Sequence, residues 1–342
     1  MKLIIPMAGR GSRLRPHTLT VPKPLIPIAG KPIVQRLAED IAKISENPIE
    51  EIAFIIGDFG ASIEKDLLKI AERLGAKGSI YKQDEPLGTA HAVWMAKDSL
   101  SGPVVVAFAD TLFRADFRMD ETADGMVWVK KVDDPSAFGV VKLDEYGLIQ
   151  DFVEKPKEFV SNLAIIGIYY FKDGDGLREE IRNIIENDLR GKGGEYQLTD
   201  ALTNMLHKGN KFSLGAVGEW MDCGNKKVTV ETNTKILDLE QEEFDKKPDS
   251  AIIKNSLIIP PCFIGENVVI ERSKVGPYVS IGNGTRIVNS NINNSLIQEN
   301  SLIINGNLAD SMIGNHAEYH GVSRDLSLGD YSVLDFNGNG KK

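Results

Sequence analysis

Up to about residue 235 the chain alternates two apolar patterns. Short continuous apolar runs, "KLIIPM" (2–7), "EIAFIIGD" (51–58) and "PVVVAFAD" (103–110), read as strands buried on both faces. Between them, "PIVQRLAEDIAKI" and "SIEKDLLKIAERLGA" carry apolar residues at helical spacing, and Gly75 closes the second as a cap. Repeated strand–helix–strand order predicts an α/β domain with a mostly parallel sheet covered on both faces. Residues 140–172 are strand-rich ("GVVKLD", "LIQDFVEK", "LAIIGIYYF") and predict an antiparallel insertion or edge.

The pattern then changes. "ILDLEQEEFDKKP" (236–248) is polar and acidic, as in a linker helix or a boundary. Beyond it, Ile252, Ile258, Ile264 and Ile270 stand six residues apart, with Gly, Asn and Ser between them. The phase slips by one to Val275, Ile281 and Ile287, and again to Ile292 and Ile297. One aliphatic per six residues predicts a β-helix, each aliphatic stacking inside a triangular coil. The slips predict a short or irregular one, fading before "HAEYHG" (316–321). Two domains are expected, 1–240 and 250–335.

Composition narrows the functional classes. A 342-residue chain with 42% apolar and 26% charged residues suits a globular protein, and a formal charge of −9 argues against a nucleic-acid-binding surface. The first apolar run is too short for a signal peptide, and no run approaches membrane-spanning length. Cys223 and Cys262 are far apart and lack metal-ligand spacing, which fits a reduced cytoplasmic compartment.

The candidate chemistry opens with "IPMAGRGSRLRPHTLTVPKPLIPIAGKP" (5–32). A strand followed by a glycine turn brings backbone N–H groups near phosphate oxygens. Gly9 and Gly11 supply the turn, and Arg13 sits just beyond it. Prolines around Lys23 in "VPKPLIP" predict an extended, rigid segment that presents a second cation. Neither the P-loop spacing nor the dinucleotide spacing is met. Two cations beside such a loop suit a polyphosphate.

These residues resemble the signature of the sugar-nucleotide pyrophosphorylases, a nucleotidyltransferase family. The match runs Ala8, Gly9, Gly11, Ser12, Arg13, Leu14 and Pro16, then Pro22–Lys23 and Lys31–Pro32. Ala8 stands where a glycine is usual. The resemblance continues in order along nearly the whole chain and is closest to long thymidylyltransferases that end in a left-handed β-helix. It implies a Rossmann-like nucleotidyltransferase domain.

The later motifs extend it. In "QDEPLGTAHAV" (83–93), Gln83 both donates and accepts, which suits the N3–H and O4 edge of uracil or thymine. Gly88 and Thr89 open a helix whose free N–H groups can take an acceptor. The resemblance makes this the base-reading segment. Asp110, after a buried strand, and Asp222, in "EWMDCGN", match the family's two Mg2+ ligands, although Ala109 and Thr111 flank Asp110 where Gly and Asn are usual. By the same resemblance Lys155 holds the sugar 1-phosphate, and Gly139, Glu154, Asn162 and Gly167 hold the sugar. Glu195 and Asp200 are read as structural or as supports for the residues that touch the substrate. His17 and His91 lie near motifs without an evident partner, and Cys223 is read as packing.

The resemblance therefore implies Mg2+-dependent attack of glucose 1-phosphate on the α-phosphorus of dTTP or UTP. The apolar end of the β-helix predicts a homo-oligomer, and the charge and the short apolar runs predict no nucleic-acid or membrane partner. A uridylyltransferase, a non-catalytic regulatory subunit and an acyltransferase activity of the β-helix are the alternatives.

Overall fold

The computed structural model describes residues 1–9, 11–114, 118–244, 247–321 and 326–335. They form two compact units that interleave along the chain: Met1–Gly9 with Val34–Trp220, and Arg10–Ile33 with Met221–Lys342.

The first unit is built on a mixed sheet. Its strands are β1 (Lys2–Pro6), β2 (Glu51–Ile56), β3 (Lys77–Lys82), β4 (Val104–Ala107), β5 (Gly125–Lys131), β6 (Gly139–Leu143), β7 (Ile149–Glu154), β8 (Leu163–Phe171) and β9 (Phe212–Ala216). Their order is β7-β6-β8-β4-β1-β2-β3, with β5 branching between β8 and β9. Strands β4, β1, β2 and β3 are parallel neighbours. The expected antiparallel part is the β6–β7 hairpin together with β8, which runs antiparallel to β4. Helices α1 (Ile33–Ile44), α2 (Ala61–Arg73) and α3 (Thr89–Met95) make the crossovers. Helices α4 (Gly174–Glu186) and α5 (Leu198–His207) follow β8, and Asp173 caps α4 by accepting from Gly176 N–H at 2.9 Å.

The central strands are continuous apolar runs because both sheet faces are covered. Leu3, Ile4 and Ile5 of β1 are fully buried, each worth roughly 1.5–3 kcal/mol of hydrophobic burial. The chain leaves β1 toward β2 and β3, then returns to β4 on the other side of β1. That reversal creates a crevice beyond the carboxyl ends of β1 and β4, where open α/β sheets bind ligands.

The second unit holds α6 (Lys226–Leu239) and the β-helix. Residues 236–244 are helical, the end of α6 and a short turn over Gln241–Phe244. The coil is parallel on each of three faces among the described residues. Successive coils are seventeen residues long at first (Ile252 beside Val269, Val269 beside Arg286) and then sixteen (Arg286 beside Leu302). Two sixes and a five, then shorter sets, produce the slips read in the sequence. The core runs Ile264, Ile270, Val275, Ile281, Ile287, Ile292, Ile297, Ile303, Leu308, Ile313 and Tyr319.

Two expectations are corrected here. Ile252 is 46% exposed, and Ile253 packs against the core instead. The helix does not fade before His316: Glu318–His320 pairs with Leu302–Ile304 and with Val333–Asp335. The pattern escapes a search for isoleucine because Leu308 and Tyr319 take over. His316 turns a corner at φ +53 and stacks flat on Tyr331. One corner is a serine ladder, in which Ser273 N–H donates to Ser256 Oγ, Ser290 N–H to Ser273 Oγ and Gly306 N–H to Ser290 Oγ. Asn255, Asn289 and Asn305 stand beside it at positive φ, a conformation asparagine tolerates.

Residues 11–33 belong with this coil rather than with the sheet they follow in sequence. Ala29 N–H donates to Asn233 Oδ1 on α6 at 3.1 Å, and Ser280 Oγ of the coil donates to the same oxygen at 2.7 Å. His17 Nε2 lies 3.0 Å from Ser327 Oγ, and Thr20 hydrogen-bonds Asp330.

Candidate functional site

In the first unit, Ala8 and Gly9 leave β1 and Asp110 follows β4 at the switch point. Ala109 N–H reaches Pro6 O at 3.4 Å, so the two loops run side by side. Asp110 is exposed. Tyr169 beneath is buried, and burial, with the carboxylates of Glu154 and then Asp110, raises its pKa and keeps the phenol neutral.

The segment read as base-contacting is folded tightly. Gln83 N–H donates to Ile56 O at 2.9 Å, which fixes the residue at the end of β3. Gly88 has φ +119, and a Cβ there would lie 2.4 Å from Tyr196 O, so only glycine fits. Ala90 N–H already donates to Tyr196 O, so this helix start has one donor fewer than the sequence implied. Thr89 Oγ1 accepts from Leu198 N–H. His91, read as lacking a partner, has one: its Nδ1 is 3.1 Å from Gln83 Nε2.

Three of the residues read as sugar-contacting meet. A Cβ on Gly139 would lie 2.9 Å from Glu154 Oε2, so glycine leaves room for that carboxylate. Lys155 Nζ is 3.5 Å from Glu154 Oε1. Lys155 has φ +42, held by its N–H to Phe138 O and by Lys192, which donates to its carbonyl. Gly167 sits at φ +81, where β8 breaks register, and its carbonyl accepts from Phe108 N–H. Asn162 precedes β8, and its carbonyl accepts from Val132 N–H. Sequence reading missed Thr199: its methyl is 3.6 Å from the Gly139 Cβ position, and its buried Oγ1 has no hydrogen-bond partner among the described residues. A hydroxyl inside a motif read as structural gave no signal. Asp200 beside it has a raised pKa, from burial and then from Glu154, while Glu195 is exposed.

The second unit gathers Gly11, Ser12, Arg13, Lys23 and Asp222. Gly11 alone of the two loop glycines has positive φ (+58), and a Cβ there would lie 2.8 Å from Lys23 Cβ. Thr18 Oγ1 donates to Gly11 O at 2.8 Å. The segment around Lys23 is not extended as expected: Lys23–Leu25 is a 3-10 turn in which Leu25 N–H donates to Pro22 O and Ile26 N–H to Lys23 O. Pro24 needs no N–H partner inside that turn. Lys23 is 7% exposed, whereas Ser12 and Arg13 are exposed. His17, between the two cations in sequence, is buried, and burial lowers its pKa to about 4. Cys223 is fully buried, as a packing role requires.

The donor set suits a hard divalent cation. Mg2+ takes one or two carboxylates and completes its shell with phosphate oxygens and water. Asp110 of the first unit and Asp222 of the second are each a carboxylate of that kind. A Cβ on Gly224 would lie 2.9 Å from Asp222 Oδ2 and 3.4 Å from Arg13 Nη2, so glycine keeps the space beside that carboxylate open. The Asp222 carboxylate and the open space beside it fit one ligand position of such an ion.

A parallel sheet with a glycine loop and a carboxylate at its switch point defines a ligand-binding α/β protein of Rossmann-like architecture. Comparison makes the class specific. The nucleotidyl transferase family profile matches residues 2–239. A glucose-1-phosphate thymidylyltransferase from Streptomyces antibioticus is 30% identical over 367 residues, covering 98% of this chain and 99% of the relative. The low-salt glycan biosynthesis nucleotidyltransferase of Haloferax volcanii is 30% identical over 344 residues, with 93% of each chain covered. The crystal structure of UDP-glucose pyrophosphorylase complexed with UDP-glucose shares the fold, with a TM-score of 0.58 at 23% identity over 70% of this chain and 99% of its own. The chain belongs to the nucleotidyl transferase family. Its full-length relatives place it among the sugar-1-phosphate nucleotidyltransferases. No helix of the described residues is long and apolar enough to cross a membrane.

Proposed function

We propose that this enzyme transfers a nucleotidyl group from dTTP, with UTP as second substrate, to glucose 1-phosphate. A phosphate oxygen of the sugar attacks the α-phosphorus, the bond to the bridging oxygen of the β-phosphate breaks, and pyrophosphate leaves. Nucleotide-sugar is the other product. No enzyme nucleophile is needed, and catalysis is positioning plus charge neutralisation. Arg13 and Lys23 offset the triphosphate charge. Ala8, Gly9, Gly11 and Ser12 line the phosphates, while Gln83, Gly88 and Thr89 receive the base. Lys155 holds the sugar phosphate, and Glu154, Gly139, Asn162 and Gly167 receive the sugar. Asp110 and Asp222 would hold Mg2+, which would supply further neutralisation of phosphate charge.

The observation that carries this reading is the Ala109 N–H to Pro6 O bond, which runs the chain leading into the Ala8–Gly9 loop beside the chain leading into Asp110 at the switch point of the sheet. The test is pyrophosphate release with Mg2+, pairing dTTP, UTP, CTP, GTP and ATP with glucose, galactose, mannose and N-acetylglucosamine 1-phosphates. Fastest turnover with dTTP and glucose 1-phosphate supports it. A strict UTP preference makes the enzyme a uridylyltransferase instead; the methyl group that separates the two bases is worth only ~1–3 kcal/mol. No release with any pair points to a non-catalytic subunit. A homo-oligomer is part of the same proposal: Ile252 and Leu257 of the first coil are 46% and 56% exposed and need cover. Sedimentation showing only monomer would contradict it.

A further inference from the structure

We propose that His91 determines which pyrimidine edge Gln83 presents, admitting uracil and thymine and rejecting cytosine; this rests on the reading of Gln83 as the base-contacting residue. The amide of Gln83 has two faces, and only one matches a base with N3–H and O4. Its Nε2 lies 3.4 Å from Gly88 O and 3.1 Å from His91 Nδ1. A backbone carbonyl only accepts, so the end of the amide turned toward Gly88 is the NH2 end. His91 Nδ1 then has to be the unprotonated ring nitrogen, accepting the other amide hydrogen. Burial favours that neutral form by lowering the pKa of His91, against the opposing pull of the Glu85 carboxylate and backbone carbonyl.

The consequence falls on the substrate. With NH2 held by His91, Oε1 is the end left to accept N3–H of uracil or thymine. The long contact to Gly88 O is the weaker of the two, and a bound O4 can take over that amide hydrogen. Cytosine reverses both groups: N3 accepts and N4 donates. To match it, the amide must rotate by half a turn, which sets Oε1 against Gly88 O, two acceptors with no hydrogen between them, and forces the His91 ring hydrogen to move onto Nδ1. The pocket is therefore built against cytosine as much as for uracil. The backbone that carries each partner is held in place, Gln83 by its N–H to Ile56 O and His91 by α3.

The test compares kcat/KM for UTP and CTP in wild type, His91→Leu, His91→Asn, Gln83→Ala and the double variant Gln83→Ala/His91→Leu. In His91→Leu the UTP:CTP ratio falls about tenfold or more, through KM rather than kcat. His91→Asn, whose Oδ1 can still accept from the amide, restores most of it. The double variant is no less selective than Gln83→Ala alone. If Gln83→Ala leaves the ratio unchanged, the base-reading role of Gln83 is wrong. If Gln83→Ala collapses the ratio and His91→Leu does not, Gln83 reads the base and the role of His91 is refuted. Additive losses in the double variant refute it as well, because His91 would then act independently of the amide.

Discussion

Gly11→Ala tests the clamp segment more sharply than removal of a cation does. Gly11 has φ +58 and ψ +37, a conformation that costs other residues ~1–2 kcal/mol. The added methyl also lies 2.8 Å from Lys23 Cβ and 3.3 Å from Thr18 Cγ2. Carbon atoms pack best at about 3.5–4.0 Å, so the stem of Lys23 must retreat by roughly 0.7 Å. It has little room, since Lys23 is 7% exposed and its carbonyl is tied to Ile26 N–H. Overpacking of this kind costs ~1–3 kcal/mol, and the total loss of stability is about 2–5 kcal/mol. Moving a reacting-site group by about 1 Å can cost ~10²-fold in rate, or about 2.7 kcal/mol in the barrier. Urea unfolding and steady-state pyrophosphate release measure the two losses. Gly9→Ala is the control: its Cβ meets nothing within 4 Å, and stability should hold within about 0.5 kcal/mol. Equal stability losses in the two variants, or wild-type kcat/KM in Gly11→Ala, would refute the packing argument.

Other outcomes follow from the same structure. Gly88→Ala, with its Cβ 2.4 Å from a backbone oxygen, should raise the nucleotide KM and destabilise by more than about 2 kcal/mol; unchanged values would contradict the close approach. Asn233→Ala removes an acceptor shared by Ala29 N–H and Ser280 Oγ, and should cost roughly 3 kcal/mol in urea unfolding. The pKa of His17 is 6.5 unfolded and about 4 folded, so the unfolded chain binds more protons between those values. Stability from this residue is complete above pH 6.5 and is lost as pH falls toward 4, by up to about 3 kcal/mol. Unfolding of His17→Gln should therefore depend less on pH than the wild type across that window, and parallel profiles would show that His17 is not the group responsible. Asp110→Asn and Asp222→Asn should each abolish turnover without loss of fold, checked by pyrophosphate release and circular dichroism.

The sheet was legible because strands covered on both faces leave unbroken apolar runs, as in "KLIIPM" and "PVVVAFAD". The β-helix was legible only while isoleucine marked its core, and its phase was misread at Ile252 because the inward Ile253 is the same residue type as its outward neighbour. What escaped depends on residues far apart in sequence. Nothing local in "RPHTL" says that His17 is buried beside Ser327, 310 positions away. Lys23 carries the cation that the motif announced, but its environment is a buried turn set by hydrogen bonds across Pro22–Ile26. The His91–Gln83 pair spans only eight positions, yet it needs the end of β3 and the first turn of α3 brought together.

The most direct test of the central claim is exchange of labelled pyrophosphate into dTTP with Mg2+, run with and without glucose 1-phosphate. Direct transfer to the sugar phosphate predicts exchange only when glucose 1-phosphate is present. Exchange without it would mean a nucleotidyl-enzyme intermediate, and the absence of exchange under both conditions would contradict nucleotidyl transfer from dTTP.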